Sequence, residues 1–164
     1  MRLNIGCGRK VLDGWTNCDV QVSDKAPRPP EILCDAKTVP LDDGCADTVM
    51  ALHLIEHFYL WETTEVLGEW LRLLRPGGHL ILELPNIEAA AKNLLAGMND
   101  QMAMWPLYGD PGHTDPYMCH RWGYTPKTIK QLLKNNGFTG ITIKPPLTHG
   151  KKHNRDMRVE ARKP

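Results

Sequence analysis

No apolar run among the 164 residues approaches the roughly 20 that a membrane-spanning helix needs, so no such helix is predicted. An excess of either charge is also missing. Twenty Lys and Arg against 19 Asp and Glu leave a formal charge of +1, too little for a chain-wide electrostatic footprint on nucleic acid or an anionic membrane. The five cysteines, Cys7, Cys18, Cys34, Cys45 and Cys119, form no C-x-x-C pair, and the opening MRLNIGCG lacks a signal peptide's apolar core. Reduced thiols in a soluble, cytoplasmic protein are expected. Neither the phosphate-loop pattern with its Gly-Lys-Ser/Thr nor a G-x-G-x-x-G opening a helix is present. Internal repeats and low-complexity tracts are absent as well.

What is present has the size of one domain, residues 1–164, large enough to bury a core of its own. Lys151, Lys152, Arg155, Arg158, Arg162 and Lys163 crowd the C-terminal end and are read as a solvated hairpin and tail. Four short strand-like stretches come first: RLNIGC, TNCDV, EILCDA and DTVMALH. VSDKAPRPPE and LDDGCAD between them are loops by composition. From Leu60 to Leu74 the residues Leu60, Leu67, Trp70, Leu71 and Leu74 recur at helical spacing until RPGG stops them. HLILELP then reads as a buried strand. Thr125 and Pro126 look like an N-cap and first helical residue, with Gly137 past the end, and FTGITIK and MRVEAR are the last strands. Strands alternating with helices predict an α/β sheet with helices on its faces. The segment 89–124, rich in Met, Trp, Tyr, Gly and Pro, interrupts the alternation and is read as a lid or acceptor-binding insertion.

His53, Glu56 and His57 spell H-x-x-E-H, the inverted zinc-peptidase signature. A zinc site of that kind needs both imidazoles on one helix, a turn apart. Thr48 and Val49 instead place His53 at the end of a strand, and a helix running back to Asp47 would be nearly 30 residues long, against the usual 8 to 20. No metal is therefore assigned, and a zinc hydrolase is kept only as an alternative to be tested with chelators.

In open α/β sheets ligands bind at the carboxyl ends of the strands. Gly6, Gly8, Asp19, Asp35 and His53 all fall there. Glycines after the first strand let a ligand approach the backbone. Only about one turn of helix fits between Gly8 and Asp19, where a parallel crossover usually takes a dozen residues or more, which counts against NAD, FAD and nucleoside triphosphates. A carboxylate ending the second strand suits the paired hydroxyls of a ribose, and one ending the third suits an exocyclic amine. Together they describe an adenosine without phosphates. The alternative is that both are loop carboxylates making local turn bonds.

Taken in order, LNIGCG, NCDV, CDAKTVPLDDGCADTVMALHLIEHF and LRLLRPGGHLILELPN resemble the successive motifs of the class I S-adenosylmethionine-dependent methyltransferases, especially the small members of the methyltransferase type 11 group. The resemblance covers about residues 2–88, with weaker echoes in TPKTIKQLLKNNGF and the last strand. It implies a Rossmann-like sheet of seven strands, mostly parallel with the last one antiparallel, and helices on both faces. It also implies S-adenosylmethionine over Gly6, Cys7 and Gly8, ribose hydroxyls on Asp19 beside Val20, and adenine beside Asp35 and Ala36. His53 would line the methyl-transfer face and His57 would open the next helix. Members of the group commonly carry a helix before the first strand and a full one after it. With an abbreviated start, the 89–124 insertion or a second subunit of a homo-oligomer is expected to wall the cofactor. Trp15 is assigned to packing.

Methyl transfer from a sulfonium is an in-line displacement, promoted mainly by near-attack positioning. A base is needed only where the acceptor must lose a proton. His53, His57 and His120 are the catalytic candidates, because imidazole titrates near neutral pH. Tyr108, His113, Tyr117, His120, Arg121 and Tyr124 are the acceptor-binding candidates, Arg121 as a clamp for a carboxylate or phosphate. A small-molecule acceptor is favoured over a single nucleic-acid strand, for which the local basic and aromatic set is small. A cofactor-binding module without catalysis is the alternative.

Overall fold

A computed structural model describes residues 1–148 and 154–164. Lys151 and Lys152 of the expected C-terminal hairpin lie outside the described residues. Seven strands form one sheet: β1 (Arg2–Ile5), β2 (Thr16–Asp19), β3 (Ile32–Leu33), β4 (Ala46–Leu52), β5 (Leu74–Pro85), β6 (Thr139–Lys144) and β7 (Asp156–Arg162). Their spatial order is β3-β2-β1-β4-β5-β7-β6. β7 runs antiparallel to both of its neighbours, and every other pairing is parallel. This is the mixed sheet that the motif order implied.

The alternation of side chains along each strand sorts residues between the two faces. Leu3, Ile5, Cys18, Val49, Ala51, Leu80, Leu82, Leu84, Met157, Val159 and Ala161 point to one face, where they join a single buried cluster. Val66, Leu67, Trp70 and Leu73 of α1 (Thr63–Leu73) and Ile129 and Leu133 of α4 (Pro126–Asn135) pack into the same cluster. Trp70 is the largest fully buried side chain, and its indole N–H donates to the Ala36 carbonyl at 3.0 Å. Helix α1 thereby fixes the loop after β3.

The other face is polar and bonded within itself. Asn4 donates to Asn17 at 2.9 Å, and Asn17 in turn holds the Glu31 carboxylate with its side-chain and backbone N–H groups. Farther along, Arg158 pairs with Glu83 at 3.1 Å and with Glu160 at 2.8 Å. Among the described residues no helix connects β1 to β2, β2 to β3 or β3 to β4. Ten residues separate Ile5 from Thr16, and the chain uses them to turn rather than to cross over as a helix.

Two boundaries differ from the sequence expectation for physical reasons. The helix predicted from Leu60 begins at Thr63, because Leu60–Glu62 form a one-turn 3-10 helix closed by Glu62 accepting from the Tyr59 amide at 2.9 Å. RPGG ends the helix as expected but belongs to β5. Ala46 pairs with Leu74 and Thr48 with His79, so Arg75–Gly78 bulge out opposite Asp47. The Asp47 carboxylate bonds Arg75 at 2.5 Å and the N-terminal ammonium at 2.8 Å. The α4 cap is as read from the sequence: Thr125 accepts from the Thr128 amide at 3.2 Å, Pro126 follows, and Gly137 past the end has φ +88°.

Candidate active site

The site forms where the strand order reverses, at the carboxyl ends of β1 and β4, the position at which open α/β sheets bind ligands. After β1 the chain turns through Gly6 at φ +67° and Gly8 at φ +51°. The amides of Gly6 and Cys7 both donate to the Cys18 carbonyl, at 2.8 and 3.1 Å, which ties the turn to β2. A Cβ on Gly6 would lie 2.7 Å from the Leu54 methyls, whereas one on Gly8 would meet nothing within 4 Å. The first glycine serves close packing and the second leaves open space.

Asp19 accepts from the Gly8 amide at 2.7 Å and from the Gln21 amide at 3.2 Å. Its carboxylate therefore braces the glycine turn and keeps lone pairs for a ligand. Asp35 makes the local turn bonds of the alternative reading: its carboxylate accepts from the Lys37 amide at 2.9 Å and its carbonyl from Thr38 at 3.0 Å. Val20 is exposed, Ala36 is half-buried against Trp70, and Cys7 is buried, with burial pushing its thiol up to about 11. The Arg2 guanidinium lies 4.9 Å above the Trp15 ring, so Trp15 packs on the fold.

His53 follows β4 directly, as the strand reading required. It is the one described non-glycine residue with a positive φ, +52°, a strained conformation that costs on the order of 1–3 kcal/mol and concentrates at functional sites. Its amide donates to the Glu83 carbonyl at 2.7 Å, and its Nδ1 lies 3.1 Å from the Glu56 carboxylate. Burial pulls its pKa down, but the Glu56 bond and the charges of Glu56 and Asp156 outweigh burial and raise it. Burial pushes Glu56 up, and the surrounding histidines bring it below its ordinary value.

Glu56 and His57 belong to a one-turn 3-10 helix, Ile55–His57. H-x-x-E-H thus bends from strand end to turn, and His53 and His57 do not stack along one α-helix. The expectation that His57 opens the next helix is corrected, since α1 starts at Thr63. The neighbour of His57 is His120, with ring centroids 4.9 Å apart at 79°. His57 Nδ1 lies 3.1 Å from the Cys119 carbonyl and His120 Nδ1 lies 2.9 Å from that of Pro106. Burial holds the His120 pKa below its ordinary value, with the nearby histidine charges adding to the depression.

The segment 89–124 is more ordered than its composition suggested. It holds most of α2 (Ile87–Leu95), capped by Asn86 accepting from the Glu88 and Ala89 amides, and α3 (Met104–Tyr108). Three ties bring it over the strand ends. The Arg121 and Trp122 amides donate to the Glu56 carbonyl at 2.8 and 3.2 Å, the Cys119 carbonyl meets His57, and Gln21 after β2 donates to Asp115 at 2.8 Å. A cleft of about 370 Å³ opens at His120, lined also by Ile87, Tyr108, Arg121, Trp122 and their neighbours.

Of the acceptor candidates, Tyr108, His120 and Arg121 line that cleft. The Arg121 guanidinium stacks 5.0 Å over the Tyr59 ring. His113 and Tyr117 are exposed outside the lining. Tyr124, 1% exposed, belongs to the core cluster, so its ring supports the site from beneath rather than facing a ligand. Sequence reasoning assigned no role to Glu56 and left Trp122 out of the acceptor-binding set. The signal for Glu56 was in H-x-x-E-H itself, read there only for its histidines.

The sheet order and the glycine-carboxylate crevice define a class I methyltransferase fold. Residues 3–82 match the family described as methyltransferase domain. That match spans 80 of the 164 residues, just under half of the chain. A similar protein is the mouse tRNA (carboxymethyluridine(34)-5-O)-methyltransferase ALKBH8, 38% identical over 63 residues; the match covers 38% of this chain and spans 10% of the mouse protein's length. Among solved structures, a methyltransferase of Archaeoglobus fulgidus shares the fold at TM-score 0.65 and 18% identity, covering 98% of this chain and 85% of the other. The Burkholderia thailandensis 1,6-didemethyltoxoflavin-N1-methyltransferase, solved with its acceptor and S-adenosylhomocysteine, shares it at TM-score 0.65 and 15% identity, covering 98% and 69%. No described helix is long and apolar enough to cross a membrane.

Proposed function

We propose that this chain transfers a methyl group from S-adenosylmethionine to a small-molecule acceptor, as a single domain of residues 1–164 whose segment 89–124 walls the acceptor side. The observation that carries the reading is the braced crevice at the switch point: two positive-φ glycines, the second facing open space, with Asp19 bonded to the Gly8 amide beside them. Gly6, Cys7, Gly8, Asp19, Val20, Asp35, Ala36 and His53 hold the cofactor. Asp19 takes the ribose hydroxyls, and the free oxygen of Asp35 takes the adenine amine.

When bound, S-adenosylmethionine supplies an activated methyl group. The chain's own contribution is placement, because in-line attack gains up to about 7–11 kcal/mol from correct orientation alone. Arg121 has no carboxylate partner among the described residues and lines the cleft, so it anchors an anionic group of the acceptor. His57 and His120 present ring nitrogens at the β4 end. The small volume of the cleft that His120 and Arg121 line, about 370 Å³, supports a compact acceptor over a nucleic-acid strand.

The test is an activity screen with labelled S-adenosylmethionine against small carboxylates, phenols, amines and thiols, with transfer RNA as a separate arm. Transfer to a small acid or phenol, lost in Arg121→Ala, is the expected result. Transfer to the RNA arm alone would overturn the small-molecule assignment, and cofactor binding without transfer to any arm would favour a non-catalytic binding module.

A further inference from the structure

Glu56 carries a carboxylate oxygen that the cofactor crevice leaves unused. The residue is 1% exposed; Oε1 meets His53 Nδ1, and Oε2 is buried with no hydrogen-bond partner among the described residues. Buried ionised oxygens are matched by donors or by a cation. Two imidazoles stand opposite. A carbonyl only accepts, so the bonds to Cys119 and Pro106 place the proton of His57 and of His120 on Nδ1 and leave each Nε2 with a lone pair. That is how metal-ligating histidines are oriented, with the second ring N–H donated to a backbone carbonyl. One ligand atom from each of Glu56, His57 and His120 lies within 4.8 Å of the others.

We propose that Glu56, His57 and His120 form a binding site for a divalent first-row transition metal ion, with Zn²⁺ as the probe. Two imidazoles and one carboxylate suit such an ion better than the all-oxygen shells of Mg²⁺ or Ca²⁺. Three protein ligands leave positions open, as in catalytic rather than structural sites. One of the three ligands, His120, also lines the cleft with Tyr108, Arg121 and Trp122. The ligand set differs from the inverted zinc-peptidase arrangement, because His120 from the insertion replaces His53. The ion's role rests on the methyltransferase reading, although its binding does not: it would hold a heteroatom of the acceptor at the β4 end, which selects acceptors bearing a ligating oxygen or nitrogen.

The experiment titrates the chelator-treated full chain with Zn²⁺ by calorimetry and records the visible spectrum of the Co²⁺-loaded protein. One equivalent per chain is expected, with the cobalt bands of a low-coordinate nitrogen and oxygen site. His120→Ala and Glu56→Gln should each weaken binding by more than the ~10–100-fold typical of losing an outer-shell partner. Thermal melting of both variants controls for folding, and the His120 variant carries the test if the buried Glu56 change unfolds the chain. Substoichiometric binding, or unchanged affinity in the folded variants, would overturn the site. Titration with S-adenosylhomocysteine separates the two readings. Its binding without zinc uptake sinks the metal alone, and zinc uptake without it sinks the methyltransferase reading alone.

Discussion

Removing the Asp19 carboxylate tests the cofactor crevice at its brace. In Asp19→Ala the Gly8 and Gln21 amides lose acceptors at 2.7 and 3.2 Å. Each carboxylate oxygen offers two lone-pair directions, so both oxygens retain one for a ribose hydroxyl. A hydrogen bond to a charged group contributes about 1.5–3 kcal/mol. Loss of one such bond corresponds to S-adenosylhomocysteine binding about 10- to 150-fold more weakly at 25 °C. The Gly8 amide sits in a half-exposed turn that water reaches, and stability should fall by only about 1 kcal/mol. Isothermal titration with urea unfolding in parallel separates the two effects. Asp19→Asn, which keeps an acceptor without the charge, should fall between wild type and the alanine variant. An Asp19→Ala affinity within twofold of wild type, in a protein that unfolds normally, would refute the placement of the ribose.

Further outcomes follow from the geometry. Gly8→Ala, whose new Cβ meets no protein atom, should cost only the ~1–2 kcal/mol of a left-handed alanine in stability and should weaken cofactor binding. Gly6→Ala, 2.7 Å from Leu54, should lose more stability, as read by urea midpoints. Trp70→Ala should destabilise by about 3–5 kcal/mol and, because the indole holds the Ala36 carbonyl, loosen the adenine side. Trp70→Phe should recover most of the stability. In acid, Glu31 is held at about 2 chiefly by Asn17, Asp47 at about 2 by the N-terminal ammonium and Arg75, and Glu160 at about 2 by Lys144 and Arg158. Their folded pKa values lie below the unfolded ones near 4, so the stability they confer is present above about pH 4 and lost as pH falls toward 2. Thermal melts that do not decline over that window would contradict these bonds.

The fold was legible where local chemistry decides local structure. The Thr125-Pro126 cap and the apolar run of HLILELP each specify an element without help from the rest of the chain. Placing His53 at a strand end rather than in a helix also followed from Thr48 and Val49. Less was legible where the decisive partner is distant. Helix α2 was hidden because its Asn86 cap follows directly on β5 and its apolar face is mostly alanine. Tyr124 looked like a site residue until the packing of α1 and α4 enclosed it. The meeting of His57 with His120 depends on the Glu56 carbonyl accepting the Arg121 and Trp122 amides, a long-range bond that no spacing encodes. Asp35 reads the same in sequence whether it serves a turn or a ligand, and its turn bond to Lys37 leaves one oxygen for either.

The central claim is that the crevice at the ends of β1, β2 and β4 binds the cofactor without help from a metal. Calorimetric titration of the chelator-treated chain with S-adenosylhomocysteine measures it directly. One site per chain with micromolar affinity, weakened in Asp19→Ala, is the predicted result. No detectable binding to folded protein would contradict the account.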